Sequence, residues 1–114
     1  MTSREDLLGM KCVPCEGGIP PLEESKISEM MDAVSGWEHD KQGPDQIKKT
    51  YKFEDFKEAM NFVNKVADLA EEQGHHPDIA IHWNEVTLTL WTHAIDGLHD
   101  NDFVMAAKID ELAE

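Results

Sequence analysis

The sequence predicts an α+β fold: a single domain with a four-stranded antiparallel sheet, helices packed on one face, and the element order α-β-β-α-β-β-α. Three observations predict it. Apolar residues recur at helical spacing from Glu54 to Gln73, whereas Ile79 to His93 alternates with the period of two that a half-buried strand requires. The strands pair off through short turns at Gly43-Pro44 and Asn84-Glu85, which join antiparallel neighbours rather than parallel ones.

In chain order, residues 1–21 carry Gly9, Gly17 and Gly18, end in Pro20-Pro21 and show no sustained period. They read as an N-terminal arm outside the core, and residues 22–114 as the domain proper. Leu22, Ile27, Met30, Met31 and Val34 then fall at helical spacing and predict a first helix stopped at Ser35-Gly36. Trp37 opens a short segment, and Gly43-Pro44 turns it into Ile47, Thr50, Tyr51 and Phe53, a strand-like set that predicts a hairpin.

The segment from Glu54 to Gln73 is the best-defined helix, with Phe56, Ala59, Met60, Val63, Ala67 and Ala70 placed on one stripe. Adding Phe62, Val66 and Leu69 widens the apolar arc to roughly half the circumference, more than contact with one sheet needs. The surplus predicts a subunit interface and a homodimer or homotetramer. Gly74 supplies the helix stop and Pro77 prevents continuation. Ile79, Ile81 and Trp83 share one parity, Asn84-Glu85 is read as a tight turn, and Val86, Leu88 and Leu90 share a face in the following strand. Ile95-Asp96-Gly97-Leu98 forms an exit loop, and a last helix begins near His99 or Asp100.

Charge narrows the function. The 24 acidic and 10 basic residues give a formal charge of −14, opposite to the basic footprint that nucleic acid requires. The first residues lack the apolar core of a signal peptide, and no window approaches the ~20 apolar residues of a membrane span. A soluble, cytoplasmic protein with neither nucleic acid nor membrane as partner is expected. The only cysteines, Cys12 and Cys15, are too few for a disulfide framework. Their spacing is compatible with half of a zinc site or a redox couple, but no second pair and no strand-helix context supports either.

The residues that carry chemistry cluster around one helix end. His75 and His76 follow the stop of the long helix, where unpaired carbonyls favour an imidazolium, and His93 stands at the end of the last strand. Glu71 lies one turn before His75, Asp78 follows the doublet, and Asp102 falls in the first turn of the last helix, so carboxylates are available to orient ring nitrogens. If the last hairpin folds back beside the long helix, His93 joins the same cleft. His39, His82 and His99 show no partner pattern and read as surface groups.

The run Glu71-Glu72-Gln73-Gly74-His75-His76-Pro77, followed by Trp83-Asn84-Glu85-Val86, Leu88-Thr89-Leu90, Thr92-His93, Gly97-Leu98 and Asp102, closely resembles the pterin-4a-carbinolamine dehydratases. The resemblance extends from about Pro20 to the C-terminus and includes Gly36-Trp37. It implies a hydro-lyase that dehydrates a 4a-hydroxytetrahydropterin to the quinonoid dihydropterin. Such an enzyme recycles the pterin of an aromatic amino acid hydroxylase, which implies a functional link to phenylalanine hydroxylase, and needs no metal or resident cofactor.

By the same resemblance His75 and His93 carry the acid-base chemistry and His76 belongs to the catalytic set while holding the substrate. Glu71, Asp78 and Asp102 are the candidate polar partners of the ring. The chain departs from the family pattern at Ile79, where an aromatic residue is common, and at His99, where a serine often caps the last helix. Two readings of other classes stand beside this one: a non-catalytic dimerisation or interaction module, and a metal-binding protein using the His cluster.

Overall fold

A computed structural model describes residues 3–13 and 17–113. Four α-helices accompany one four-stranded antiparallel sheet: α1 (Arg4–Leu8), α2 (Glu24–Met31), β1 (Glu38–Asp40), β2 (Gln46–Lys52), α3 (Phe56–Gln73), β3 (Asp78–His82), β4 (Glu85–Leu90) and α4 (Asp100–Ala113). The strands lie in the order β1-β2-β4-β3, so the two hairpins meet along β2 and β4. The predicted α+β class and antiparallel sheet are thus present, with one helix added before the predicted order.

The period of two in β4 decides which face is covered. Val86, Leu88 and Leu90 are fully buried, and directly across β2 they meet Tyr51, Lys49 and Ile47. Side chains opposite one another in an antiparallel pair share a face, so this face lies under the helices. The other face carries Lys48, Thr50, Thr87 and Thr89, with the Thr50 and Thr87 hydroxyls 2.8 Å apart. Phe103 to Ala107 of α4 are all buried, because α4 lies against α3 on one side and α1 on another.

Three expectations need correction. The arm is not outside the core: Ser3 caps α1 in a reciprocal capping box with Asp6, and Leu7 is fully buried. Lys108 Nζ of α4 donates to Leu8 O at 3.0 Å. Five residues with one buried leucine offer no period to detect, which is why the helix escaped the sequence reading. Cys15 lies outside the described residues.

On α3 the buried stripe is Ala59, Phe62, Val66 and Ala70, whereas Phe56 and Ala67 are exposed and Met60 and Val63 half-buried. The predicted stripe therefore lay one flank too far round the wheel. In the last hairpin the turn residues are Trp83 and Asn84, with Glu85 already in β4. Asn84 draws the turn inward: its Nδ2 donates to Phe53 O at 2.9 Å, and Phe53 N donates to Asn84 O at 2.8 Å.

Candidate active site

The long helix is built to stop at the histidine doublet. Asp55 caps its start by accepting from Glu58 N, and Gly74 ends it at φ 68°, ψ 26°, a left-handed conformation natural to glycine. Gly74 N and His75 N both donate to Ala70 O, at 2.8 and 3.3 Å, and the chain leaves the helix with His75 turned inward and His76 outward.

His75 Nε2 lies 2.6 Å from Oδ1 of Asp102, a fully buried carboxylate. The second oxygen of Asp102 accepts from Thr92 Oγ1 at 2.9 Å and from His99 N at 3.0 Å. Both oxygens are thus committed to protein donors, and Asp102 acts by holding its neighbours rather than by reaching into the cleft. Its place in the first turn of α4 follows from a local cap. His99 Nδ1 accepts from Asn101 N at 3.0 Å while Asp102 accepts from His99 N, so His99 fills the capping role expected of a serine. His99 is therefore a helix cap and not the surface group that its sequence context predicts. His39 likewise pairs with Asp45 at 2.9 Å, whereas His82 is almost fully exposed.

Thr92 carries the same carboxylate's influence to the second histidine. Thr92 N donates to Gly97 O at 2.8 Å, pinching a loop whose 3-10 turn, His93–Ile95, begins at His93. The His93 ring lies against the Trp91 indole with centroids 3.8 Å apart. His76, on the outer side, places Nε2 2.6 Å from Glu71 Oε2, with both side chains more than half exposed. A pair so wetted contributes at most about 1 kcal/mol, which leaves His76 free to turn toward a ligand.

His75, His76 and His93 line one cleft of about 250 Å³, together with Val13, Gly74, Trp91, Thr92 and Asn101. The structure therefore brings together the three predicted imidazoles and links two of them to the predicted carboxylates Glu71 and Asp102. Asp78 opens β3 opposite Thr89 and is not among the residues lining the cleft. Trp91 lines it as well. Thr92, Asn101 and Val13 were missed. Only the Thr-His pair carried any signal for Thr92, and nothing near Val13 or Asn101 in the chain marks them, because their partners lie far away in sequence.

A small α+β domain with three imidazoles lining one cleft, two of them held by carboxylates outside its lining, is the class defined by this fold and site. Comparison with known proteins is more specific. Residues 20–112 match the family described as Pterin 4 alpha carbinolamine dehydratase. A relative from Methylococcus capsulatus, provisionally named pterin-4-alpha-carbinolamine dehydratase, is 48% identical over 94% of this chain and 93% of its own. A similarly named relative from Rickettsia bellii is 45% identical over 98% of both chains.

Among solved structures, a transcriptional coactivator/pterin dehydratase from Brucella melitensis matches with a TM-score of 0.78 and 34% identity, covering 82% of this chain and 99% of that one. A pterin dehydratase-like protein described as a RuBisCO assembly factor in the alpha-carboxysome matches with a TM-score of 0.60 and 26% identity, over 68% and 89%. The chain belongs to the pterin 4 alpha carbinolamine dehydratase family. The resemblance read from His75-His76-Pro77 and the motifs after it is thereby confirmed.

Proposed function

We propose that this protein dehydrates a 4a-hydroxytetrahydropterin to the quinonoid dihydropterin, and so recycles the pterin of an aromatic amino acid hydroxylase such as phenylalanine hydroxylase in the cytoplasm. The observation that carries the reading is the convergence of two histidine-bearing loops on one buried carboxylate, Asp102. Family membership supplies the substrate class.

The chemistry is balanced without a redox partner. The C4a–O bond and the N5–H bond break, C4a=N5 forms, and water leaves. One proton must reach the departing hydroxyl while another is taken from N5, so the protein returns to its starting protonation state. Imidazole suits both tasks near neutral pH, and no metal or resident cofactor is needed. His75 and His93 exchange the protons. With His75 Nε2 engaged by Asp102, its Nδ1 is the nitrogen left for substrate, and the carboxylate fixes that tautomer. His76 holds the ring and is steered by Glu71.

The expected result is that purified protein accelerates 4a-hydroxypterin dehydration. His75→Ala or His93→Ala should each lower kcat/KM by about 10²–10⁴-fold with the circular dichroism spectrum unchanged. Unaltered turnover in both variants sinks the assignment.

A second reading, a non-catalytic interaction module, is favoured by the coactivator and assembly-factor descriptions of the two solved relatives. It predicts that wild type lacks turnover and that the histidine variants retain partner binding. In either reading the chain works as a homodimer or homotetramer. Among the described residues no helix is long and apolar enough to cross a membrane, and the formal charge of −14 opposes binding to nucleic acid.

A further inference from the structure

The N-terminal arm is fastened to the domain at the places that hold the histidines. Cys12 N donates to Oε1 of Gln73, the last residue of α3, at 2.9 Å. Val13 N donates to Asn101 Oδ1 at 2.9 Å, and Asn101 Nδ2 returns a bond to Val13 O at 2.7 Å. Asn101 is buried and immediately precedes Asp102, so both functions of a buried amide are spent on fixing the backbone of one arm residue. Further along, a Cβ on Gly17 would lie 3.2 Å from Ala94 O, and one on Gly97 would lie 2.6 Å from Pro21 Cβ. The described residues of the arm thus meet the His75 side of the cleft at Cys12 and Val13 and the His93 loop at Gly17 and Pro21.

This fastening has an unusual product. The Val13 side chain, 56% exposed, is held at the cleft wall by a two-bond clamp. Anchoring the arm alone does not call for an apolar side chain there, since the clamp grips only backbone. Among the cleft's lining residues Val13 and Trp91 are the large apolar groups, and the rest are imidazole, hydroxyl, amide or glycine. A planar heterocycle with polar edges matches such a lining: the histidines address its edges, and the apolar side chains meet its faces or its ring substituent.

We infer that the arm is part of the substrate site: Val13 contacts the bound pterin and sets affinity for it, and Asn101 and Gln73 are positioning residues that hold Val13 there. The inference rests on the proposed pterin reading. Contacts with a group remote from the reacting atoms are made equally in the ground and transition states, so their loss raises KM and leaves kcat alone.

The test compares wild type with Val13→Ala, Val13→Asp and Gln73→Ala in the full chain. It reads dehydration kinetics, thermal midpoint, and binding of 7,8-dihydrobiopterin, which lacks the 4a-hydroxyl, by tryptophan fluorescence. Val13→Ala should raise KM and the dihydropterin Kd about 3–10-fold, the loss expected for one or two buried methyl groups. Val13→Asp should exceed that, and Gln73→Ala should follow in the same direction, all with kcat and melting midpoint held.

KM and Kd within twofold of wild type in both Val13 variants, or a loss confined to kcat, overturns the inference while leaving the dehydratase reading in place. Val13-dependent dihydropterin binding by a wild type without turnover supports the arm site and removes the reaction. Absence of both binding and turnover in wild type removes both.

Discussion

Asp102 is the residue on which most of the site depends, and its own needs are severe. It is fully buried and satisfies three donors, His75 Nε2, Thr92 Oγ1 and His99 N. Asp102→Asn substitutes an NH₂ for one acceptor oxygen, so either a donor faces another donor or His75 must switch tautomer to accept from it. That costs about 1–3 kcal/mol of stability and frees His75 from its tautomer. We expect the urea midpoint to fall and kcat to drop by about 10-fold or more, with KM little changed. Retention of full kcat would mean that His75 does not depend on this carboxylate.

Cys12 is a second residue whose environment can be measured. Burial, reinforced by the negative charge of Asp102 and opposed by Lys108, raises its thiol from 9.0 to about 11. The thiolate is the nucleophile, so alkylation by iodoacetamide at neutral pH should be slower than for a free thiol and should climb until pH approaches 11. Peptide mass mapping separates Cys12 from Cys15. Because the folded value lies above the unfolded one, any stabilisation linked to this thiol is complete below pH 9 and is lost as pH rises from 9 toward 11.

At the scale of elements, the site is set by where α3 ends. No atom lies within 4 Å of a Cβ built on Gly74, so Gly74→Ala isolates the cost of left-handed backbone from any clash. That cost is about 1 kcal/mol. A thermal midpoint lower by several degrees checks it, and a bulkier residue at 74 should do little more than alanine.

The second element-scale feature is the polar cluster on the inward face of β2. Asp110 of α4 accepts from Lys49 Nζ at 2.8 Å, from Trp37 Nε1 at 3.2 Å and from the Tyr51 hydroxyl. Burial and the adjacent Asp110 carboxylate hold the Tyr51 phenol far above its ordinary range, so it stays a donor. Asp110→Ala leaves a largely buried ammonium without its carboxylate partner, and chemical denaturation should record a loss of about 2–4 kcal/mol.

These elements differ in how legible they were. α3, β4 and the cap at Gly74 announce themselves through period and stop residue, and His75-His76-Pro77 through its placement after that stop. The Asp110 cluster joins positions 37, 49, 51 and 110, and the arm joins 12 and 13 to 73 and 101. Neither local period nor spacing encodes such contacts, since they exist only once the helices have docked. Lys49 even violates the apolar alternation of its strand, and that inward lysine was the one available hint of a buried acid.

For the whole molecule, assembly turns on β3. It is one of the two edge strands of the sheet, all five of its residues are exposed, and Ile79-Ala80-Ile81 places no charge at its centre. Natural edge strands are usually shortened, bulged or charged to prevent pairing, as the three-residue β1 is shortened here. β3 carries no such protection. Ile79 and Ile81 pair across the ladder with buried Leu88 and Val86, so they stand on the helix-covered face at its uncovered margin. A second copy adding its β3 in antiparallel register would satisfy both backbones and extend both cores at once.

We therefore predict that β3, rather than the outward flank of α3 bearing Phe56, carries the primary dimer contact. Sedimentation should give at least twice the mass of one chain, and Ile81→Lys should return a folded monomer while Phe56→Lys leaves the dimer intact. The formal charge of −14 on each copy repels its partner, so added salt should tighten dimerisation by screening that repulsion. A dimer that Phe56→Lys dissociates and Ile81→Lys does not would assign the interface to the helix instead.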